Sequence, residues 1–317
     1  MRVLSDEQVV AALTWDGVLS ALEDAFRDPA RFQTPERVAI SQGGDTFLTM
    51  PCADRGGWFG VKQVAVKPDN AARGKPSVQA WYTLQDPEGE PALAMGATLL
   101  TRMRTAGVSA VAAKYLARAD VATLLVVGTG ALAPWMADAH LQVRRYEQVL
   151  VWGRNSDKAR ATARDISQRA GSADVRPVSD LADALLEADV ITSATTAREP
   201  ILHGTWLRSG QHLDIVGAFV PQMSEVDADA VRRARVFVDD VAACQAEAGD
   251  LIQAAQRSWS WEAVAGDLNA VVTGRAGRQG SDDLTLFKSV GLAFEDLVVA
   301  RRIAESGAVS TPEAGPT

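Results

Sequence analysis

The chain has 317 residues, 47% of them hydrophobic, so it can bury a sizeable core and is long enough for two domains of ordinary size. Its formal net charge of −8 argues against the large basic surface that binds nucleic acid or an anionic membrane. The first residues, MRVLSDEQVVAALTWDG, lack the unbroken apolar core of a signal peptide. No run reaches the roughly 18 apolar residues that cross a bilayer, so we expect a soluble, cytoplasmic protein.

Cysteine and histidine usage argues against a disulfide framework or a metal site. The cysteines, Cys52 and Cys244, stand far apart and outside any ligand motif, so we expect two ordinary buried thiols. The histidines, His140, His203 and His212, lack a spacing such as i, i+4 that would place two of them on one helix face. We therefore predict no metal.

The first third of the chain is predicted to form helices and then a sheet. Ser5 followed by Gln8 is a capping-box pattern, and Val18, Leu22 and Phe26 recur at helical spacing. From about residue 37 the chain contains short runs rich in Val, Thr and aromatic residues: RVAIS, TFLTMPC, WFGVKQVAV and SVQAWYTLQD. The turn DPEGEP then indicates a hairpin that leads into ALAMGA. We expect an antiparallel or mixed sheet here.

The middle of the chain alternates between helices and strands. From Thr101, TRMRTAGVSAVAAKYLARAD predicts a long helix that ends near Asp120. The strands predicted after it are TLLVVG, QVLVWG, DVRPV, DVITSAT, LDIVGA and RVFVDD, with helices through APWMADAHLQV, DKARATARDISQRA and LADALLEA. This alternation predicts an α/β fold with a parallel sheet covered on both faces. Near Lys288 we predict a last amphipathic helix, KSVGLAFEDLVVARRIAES, followed by a disordered tail, GAVSTPEAGPT.

A glycine-rich turn follows the first strand of the alternating region. In LLVVGTGALAPWMADAH, Gly128 and Gly130 stand between a buried strand and a helix, and Ala133 takes the place of a third glycine. Such glycines permit a tight turn, and the helix N-terminus offers amides to a pyrophosphate. A strand-to-helix turn can also require glycine for steric reasons alone. The surrounding alternation favours dinucleotide binding by Gly128, Thr129, Gly130 and Ala131.

The end of the second strand of this region indicates which dinucleotide binds. VLVWGRNSDKA places Arg154, Asn155 and Ser156 there, with no carboxylate before Asp157. A carboxylate would bind the ribose hydroxyls of NAD, whereas Arg accommodates a 2′-phosphate, so the sequence favours NADPH, with NADH also possible. The alternative is that Arg154 is a solvated loop residue and that Asp157 caps the next helix.

Several cations precede the glycine-rich turn: Arg37, Lys62, Arg102 and Arg104. Arg104 and Thr105 are predicted at the start of a helix, where the helix dipole disfavours a positive side chain. Cations placed against local preference suggest an anionic ligand, such as a substrate carboxylate or a phosphate. Ordinary surface salt bridges are the alternative.

Four segments together resemble the ornithine cyclodeaminase/mu-crystallin family. They are KQVAVKPDNAARGKPSVQAWYTLQDPEGEPALAMGATLLTRMRTAGVSAVAAKYLARAD, LLVVGTG, IVGAFVPQMSEVD and FKSVGLAFEDLVVARRI. The resemblance implies a Rossmann-type doubly wound parallel sheet in an NAD(P)-binding domain over residues 114–289. It is inserted in an α+β substrate-binding and dimerisation domain formed by residues 1–113 and 290–317. A homodimer is implied as well.

The resemblance also implies roles for individual residues. Arg37, Lys62 and Arg104 would surround the substrate carboxylate, with Lys62 and Arg104 as the catalytic candidates. Thr105 would lie beside the cofactor phosphates. The remaining implied cofactor contacts are Thr195, Val216, Gly217, Ser289 and Gly291.

Members of this family are cyclodeaminases, amino acid dehydrogenases or reductases of cyclic imino acids. Cyclodeaminases carry an aspartate at the place of Phe219, and a phenyl ring cannot accept a proton. The departure favours an NADPH-dependent reductase that converts 1-pyrroline-2-carboxylate to L-proline or 1-piperideine-2-carboxylate to L-pipecolate. Lys62 or a bound water would supply the proton, and Phe219 with Met50 or Met223 would pack on the substrate ring.

The alternatives come from the other classes. An NAD(P)-dependent dehydrogenase of alanine or a basic amino acid is the second hypothesis. Ornithine cyclodeamination is disfavoured by Phe219. A non-catalytic NADPH-binding protein is disfavoured because the candidate substrate cations Lys62 and Arg104 are present.

Overall fold

The computed structural model describes residues 1–76 and 78–306, apart from the side chains of Pro68 and Ala71. The predicted tail GAVSTPEAGPT lies outside these residues. Two compact units are present: unit 1 comprises Met1–Thr105 and the segment from Leu292, and unit 2 comprises Ala106–Gly291. Within the described ranges no helix is both long and apolar enough to cross a membrane.

Helices and strands occupy most of the described chain. The helices are α1 (Asp6–Ala11), α2 (Trp15–Arg27), α3 (Thr98–Leu116), α4 (Ala133–Val143), α5 (Ser156–Ser167), α6 (Leu181–Glu187), α7 (Ala228–Arg233), α8 (Val241–Glu247), α9 (Gly249–Ala255), α10 (Leu268–Val272) and α11 (Ala293–Glu305). The strands are β1 (Arg2–Leu4), β2 (Phe32–Gln33), β3 (Val38–Gln42), β4 (Asp45–Asp54), β5 (Phe59–Val66), β6 (Val78–Gln85), β7 (Pro91–Gly96), β8 (Thr123–Val127), β9 (Gln148–Trp152), β10 (Asp174–Val178), β11 (Val190–Ser193), β12 (His212–Ile215), β13 (Arg235–Val238), β14 (Val264–Asp267) and β15 (Thr285–Lys288).

The strands of unit 1 form a mixed sheet in the order β1-β7-β6-β5-β4-β2, with β3 pairing with β4. β1 and β7 run parallel, and the neighbours from β7 to β2 are antiparallel, including the predicted β6–β7 hairpin. Helix α11 packs on α2 and on the sheet. The ring of Phe294 in α11 lies 5.0 Å from that of Phe26 and 4.9 Å from that of Phe32. The mixed sheet predicted from the sequence is confirmed.

The strands of unit 2 are parallel, in the order β10-β9-β8-β11-β12-β15-β13-β14. Leu124 and Val126 of β8 pack into one hydrophobic cluster, whereas Leu125 and Val127 pack into another. Successive side chains therefore point to opposite, covered faces, which explains the continuous apolar runs. The strand order reverses between β8 and β11, which places the expected ligand crevice at the carboxyl ends of these strands. The doubly wound fold is confirmed.

The predicted start and end of the long central helix were wrong. Helix α3 begins at Thr98 and ends at Leu116, earlier at both ends than the sequence pattern suggested. Arg104 consequently lies in the second turn of α3 and not at its start. The argument that the helix dipole disfavours Arg104 therefore fails, because that effect is confined to the first turn.

The predicted start of the last helix was wrong as well. Residues 285–288 form β15, buried between β12 and β13, and α11 begins at Ala293. Gly291, with φ of 85°, lies between the two elements. A residue in this left-handed region cannot be part of a right-handed helix. Helix α11 therefore begins only after Gly291.

Candidate functional site

Lys62 lies on the covered face of the sheet in unit 1. It is fully buried in β5, where its neighbours across the sheet are Met50 on β4 and Tyr82 on β6. Residues directly opposite in an antiparallel pair share one face, so these three side chains form a row across the strands. The structure thus brings together two of the predicted substrate-binding residues, Lys62 and Met50.

Two carboxylates of α11 pair with two of the predicted cations, Lys62 and Arg104. Lys62 Nζ donates to Asp296 Oδ2 at 2.6 Å. Arg104 donates through Nη1 to Glu295 Oε2 at 2.6 Å and through Nε to Asp296 Oδ1 at 3.1 Å. We call Lys62, Arg104, Glu295 and Asp296 the paired-charge cluster. All four residues are buried, and their formal charges, two positive and two negative, cancel.

Glu295 and Asp296 were not predicted from the sequence. Both stand between the core residues Phe294 and Leu297 in the run AFEDLVV. The signal was present, because adjacent acids on the apolar stretch of a helix are buried and need cationic partners. What the sequence could not indicate was the pairing, since Lys62 lies more than two hundred positions earlier in the chain.

The paired-charge cluster shifts the protonation of its members. Desolvation lowers the pKa of Lys62 to about 8, because burial disfavours the ammonium more than the attraction of Asp296 favours it. Desolvation opposes ionisation of Asp296 as well, but Arg104 and Lys62 together hold the pKa of that carboxyl below its usual range. Lys62 is therefore an ammonium at neutral pH that gives up its proton more readily than an exposed lysine.

Two other predicted residues of unit 1 are Arg37 and Thr105. Arg37 directly precedes β3 and is half-buried, and Thr105 is half-buried in α3. Their assigned roles, toward the substrate carboxylate and the cofactor phosphates, stay predictions. Arg102 lies two residues before Arg104 on α3, and positions i and i+2 of a helix face different directions. It is a natural comparison for Arg104.

In unit 2 the glycine-rich turn joins β8 to α4. Gly128 has φ of 116°, and a Cβ atom there would lie 3.1 Å from both Ala194 O and Thr195 Cγ2. Glycine is therefore required at this position by the fold itself. A Cβ atom on Gly130, in contrast, would meet no described atom within 4 Å. Open space beside this second glycine suits the close approach of a ligand to the backbone.

Helix α4, which follows the turn, begins without a side-chain cap. Its N-cap residue, Leu132, makes no capping hydrogen bond. In contrast, α5, α6, α7, α8 and α10 each begin with an Asn or Asp whose side chain accepts from a backbone amide, whereas α9, like α4, lacks a side-chain cap. The first-turn amides of α4 thus have no side-chain acceptor at the N-cap, and the helix dipole favours an anion there. These residues fit the pyrophosphate of a dinucleotide.

Arg154 lies beside this turn at the end of β9. The carbonyl of Trp152, the last residue of β9, accepts from Gly128 N at 2.9 Å, and Arg154 itself is exposed. Asn155 caps α5 by accepting from Lys158 N. Asp157 instead pairs with an arginine in its own helix, so the alternative in which Asp157 caps the helix was wrong. Ser156, the first residue of α5, is exposed.

One buried carboxylate joins the ends of β11 and β12. Glu225 Oε1 accepts from Ser193 Oγ at 2.6 Å and from Thr195 N at 2.7 Å. Its Oε2 accepts from Gly217 N at 2.5 Å. A Cβ atom on Gly217 would overlap Oε2, so the space that this glycine leaves is filled by Glu225 and not by a cofactor. Val216 directly follows β12, and its amide donates to Ser193 O at the end of β11.

A second carboxylate, that of Asp250, binds the backbone of Glu225. Asp250 Oδ1 accepts from Glu225 N at 2.6 Å and from Val226 N at 3.0 Å. Its other oxygen lies 3.2 Å from Lys288 Nζ at the end of β15. All of these side chains are buried. The pKa of Glu225 is raised by desolvation and by the neighbouring charge of Asp250.

A third carboxylate holds the segment that follows β15. Asp239 Oδ2 accepts from Val290 N at 2.7 Å and from Gly291 N at 2.8 Å. Ser289 lies within this held segment and is buried. We call Glu225, Asp239, Asp250 and Lys288 the acidic cluster. The three acids of this cluster were not predicted from the sequence, although Asp239 directly follows the buried residues VFV, where an acid needs a partner.

Phe219 lies in the loop that follows β12 and is 50% exposed. Met223, further along the same loop, is buried at 8% exposure. Phe219 and its neighbour Val220, which is 37% exposed, are thus the exposed large apolar side chains of this loop. The two cysteines, Cys52 and Cys244, are buried free thiols, as expected.

The chain matches known proteins over nearly its whole length. The model of the ornithine cyclodeaminase/mu-crystallin family matches residues 1–310. A Delta(1)-pyrroline-2-carboxylate reductase of Colwellia psychrerythraea is 33% identical over 319 residues, which cover 96% of this chain and 99% of that protein.

Solved structures give the same picture. Thermococcus litoralis Delta(1)-pyrroline-2-carboxylate reductase, in complex with NADH and L-proline, is 32% identical with a TM-score of 0.92 and covers 97% of both chains. An archaeal alanine dehydrogenase dimer with bound NAD is 27% identical with a TM-score of 0.89, and the match covers 97% of this chain and 96% of that one.

Proposed function

Because the chain belongs to the ornithine cyclodeaminase/mu-crystallin family, we propose that it reduces cyclic imino acids with NADPH. It is an NAD(P)H-dependent oxidoreductase of the kind that acts on a C=N bond. The proposed reactions are 1-pyrroline-2-carboxylate to L-proline and 1-piperideine-2-carboxylate to L-pipecolate. The matched reductases of Colwellia and Thermococcus support the first of these.

The observation that carries the proposal is the buried ammonium of Lys62 next to Arg104. A cyclic imino acid needs its carboxylate held, its ring nitrogen protonated and a hydride delivered to C2. Arg104, with Arg37, is assigned to the carboxylate, since guanidinium binds carboxylate through two parallel hydrogen bonds. Lys62 is assigned as the proton donor to the nitrogen. A lysine whose pKa lies at about 8 suits this role at neutral pH.

The cofactor residues are assigned from the sequence and the family resemblance, and the open turn at Gly130 with the first turn of α4 supports the pyrophosphate site. A reduced nicotinamide, when bound, supplies the hydride. Gly128, Thr129, Gly130 and Ala131, with the first turn of α4, are assigned to the pyrophosphate. Arg154, Asn155 and Ser156 are assigned to the 2′-phosphate, which is the basis for proposing NADPH. The remaining assigned contacts are Thr105, Thr195, Val216, Gly217, Ser289 and Gly291.

The apolar part of the substrate is assigned to Phe219 and Met50. A ring of methylene groups gains about 0.8 kcal/mol for each CH₂ that is buried. Phe219 offers an exposed phenyl ring and no proton acceptor. This argues against direct processing of a primary amine, which needs a base at that place.

We also propose a homodimer, with the exposed face of the unit 1 sheet as the contact. Val38, Ile40, Phe47 and Trp81 share this face through the pairing of β3 to β6, and all are exposed. An apolar patch of this kind marks a protein contact. The proposed division of labour keeps residues 114–289 for the cofactor and residues 1–113 with 290–317 for substrate and dimerisation. Light scattering after size-exclusion chromatography measures the oligomeric state.

The experiment that tests the function is a substrate panel followed by nicotinamide absorbance. It compares 1-pyrroline-2-carboxylate, 1-piperideine-2-carboxylate, pyruvate with ammonia, and L-ornithine. The two imines and the pyruvate mixture are tested with NADPH or NADH. L-Ornithine is tested with NADP⁺ or NAD⁺. We expect oxidation of NADPH by one or both cyclic imines, faster than oxidation of NADH at equal concentration.

The other arms identify what replaces the proposal if it fails. Turnover of pyruvate with ammonia, without turnover of the imines, indicates an amino acid dehydrogenase such as the matched archaeal protein. Ammonia release from L-ornithine without net reduction of NAD⁺, measured by an ammonia assay beside the absorbance, indicates a cyclodeaminase. NADPH binding without turnover in any arm indicates a binding protein.

A further inference from the structure

Glu225 is placed to shape the loops that follow two neighbouring strands. Its two oxygens accept the Thr195 amide, after β11, and the Gly217 amide, after β12. These strands are adjacent in the sheet, next to the point at which the strand order reverses. One side chain therefore fixes the backbone that follows both strands, on the β11 side of this point.

Both backbone groups of Glu225, its amide and its carbonyl, are themselves hydrogen-bonded. Its amide donates to Asp250 Oδ1, and its carbonyl accepts from Ile201 N at 3.0 Å and Leu202 N at 2.9 Å. With the Ser193 hydroxyl on Oε1, the carboxylate has three donors and a rigid base. An ionised carboxylate in such a site orients its partners in the absence of any ligand.

We propose that Glu225 is a positioning residue for the nicotinamide cofactor: it holds the backbone at Thr195 and Gly217 in the binding conformation before the cofactor arrives. Both amides donate to Glu225. We therefore expect the cofactor to contact this backbone on the side that faces away from Glu225. The loop that carries Phe219 also starts at Gly217. This inference rests on the proposed use of a nicotinamide cofactor.

The contact requires a carboxylate, and an amide of equal size cannot replace it. In Glu225→Gln the amide oxygen can still accept from Ser193 Oγ and Thr195 N. The amide nitrogen then faces Gly217 N, so two donors oppose each other in a buried space. The substitution therefore changes the loop after β12 while it preserves the volume of the side chain.

Asp189 provides a matched control at the opposite edge of the same sheet. Its Oδ2 accepts two backbone amides, Ala122 N at 2.8 Å and Thr123 N at 3.1 Å, and its Oδ1 accepts from Arg208 at 2.8 Å. It directly precedes β11, at the amino ends of the strands. Asp189→Asn thus disturbs the same kind of carboxylate contact away from the proposed cofactor edge.

The experiment measures the dissociation constants of NADPH and NADH by fluorescence, together with the melting temperature and the substrate KM. We expect Glu225→Gln to raise both dissociation constants by about tenfold or more, equivalent to roughly 1.4 kcal/mol. The substrate KM at saturating cofactor should change less than the two dissociation constants, because Phe219 is the one assigned substrate residue that lies in the loop after β12. Asp189→Asn should lower the melting temperature without changing cofactor affinity.

Equal cofactor affinity in Glu225→Gln and the parent would overturn the inference, as would equal losses of affinity in the two variants. If the parent binds neither cofactor, the proposed function fails instead. Hydrogen exchange of the parent covers the case in which Glu225→Gln does not fold. Segments around 195 and 217 should be protected in the cofactor-free protein; free exchange that slows only when NADPH is added would contradict preorganisation.

Discussion

The two buried charge clusters of this molecule use carboxylates in different ways. In the paired-charge cluster of unit 1, two carboxylates face two cations, and the charges cancel. In the acidic cluster of unit 2, three carboxylates accompany a single ammonium, and Glu225 and Asp239 direct their oxygens mainly at backbone amides. The second arrangement fixes loop shape, because a backbone amide has one direction in which it can donate.

The difference separates two kinds of contribution to one proposed reaction. Side-chain cations can exchange a carboxylate partner of the protein for a carboxylate of a ligand, since both bind the same guanidinium or ammonium. Backbone amides bound by a buried acid are not available for exchange. We therefore expect substitutions in the paired-charge cluster to affect the substrate and those in the acidic cluster to affect the cofactor.

The largest effect is expected from Arg104→Ala. Within the paired-charge cluster the variant leaves one cation, Lys62, against Glu295 and Asp296, so the summed charge of the cluster becomes negative and disfavours an anionic substrate. We expect kcat/KM to fall by about 1000-fold, roughly 4 kcal/mol of transition-state stabilisation. Steady-state kinetics and cofactor titration measure the two effects separately.

Arg102→Ala is the control for Arg104→Ala, since it removes a half-buried arginine from the same helix. It should retain most of the parental kcat/KM. The dissociation constant for NADPH should stay close to the parental value in both variants. A weaker affinity for NADPH in Arg104→Ala, with an unchanged substrate KM, would remove the distinction between the two clusters.

A somewhat smaller effect is expected from the titration of Lys62. Its pKa is lowered from 10.5 in the unfolded chain to about 8 in the folded protein. Between these values the unfolded chain keeps a proton that the folded protein has lost, so the free energy of unfolding should rise with pH. The rise should approach about 3 kcal/mol. Activity should move oppositely and fall above pH 8, as the proton donor is lost.

Urea unfolding at several pH values, compared with Lys62→Met, isolates this contribution. The variant has no ammonium at this place, so the rise specific to Lys62 should be missing from its profile. Parallel profiles for the two proteins would mean that Lys62 does not titrate in this range. The attraction of Asp296 would then raise the pKa of Lys62 by more than desolvation lowers it.

The smallest effect is expected from an exposed cation outside both clusters. Arg154→Ala should weaken NADPH by about 1.5 to 3 kcal/mol, the contribution of a hydrogen bond to a charged group, and NADH far less. Arg160→Ala, which removes an exposed arginine of α5, should leave both affinities unchanged. Equal weakening of NADPH and NADH in Arg154→Ala would argue against a 2′-phosphate contact.

Much of the fold was predictable from local pattern. The capping box at Ser5 and Gln8 forms with both hydrogen bonds, because its geometry depends on four consecutive residues. The strands of unit 2 were recognisable because a parallel sheet covered on both faces requires continuous apolar runs. Short elements such as β1, β14 and α7 to α10 were not predicted. They have few residues in which a period can repeat.

The candidate site was predictable only in part. Gly128 and Lys62 are visible in the sequence because a turn needs glycine and a buried lysine interrupts an apolar strand. The acids of the two clusters were not predicted, since Asp296 binds Lys62 and Glu225 binds the Thr195 amide across long stretches of chain. The error at Lys288 has a related cause. Its strand forms between β12 and β13, and no local preference in the sequence specifies those neighbours.

The missing side chain at Gly217 limits how this protein can be altered. A Cβ atom there would overlap both Glu225 Oε2 and Thr195 O. Any redesign that keeps the glutamate must keep glycine at 217, and a larger residue at 217 demands a smaller partner at 225 and a shifted chain at 195. Residues 195, 217 and 225 are therefore structurally coupled. They should be exchanged together when the loop that bears Phe219 is replaced by that of a relative.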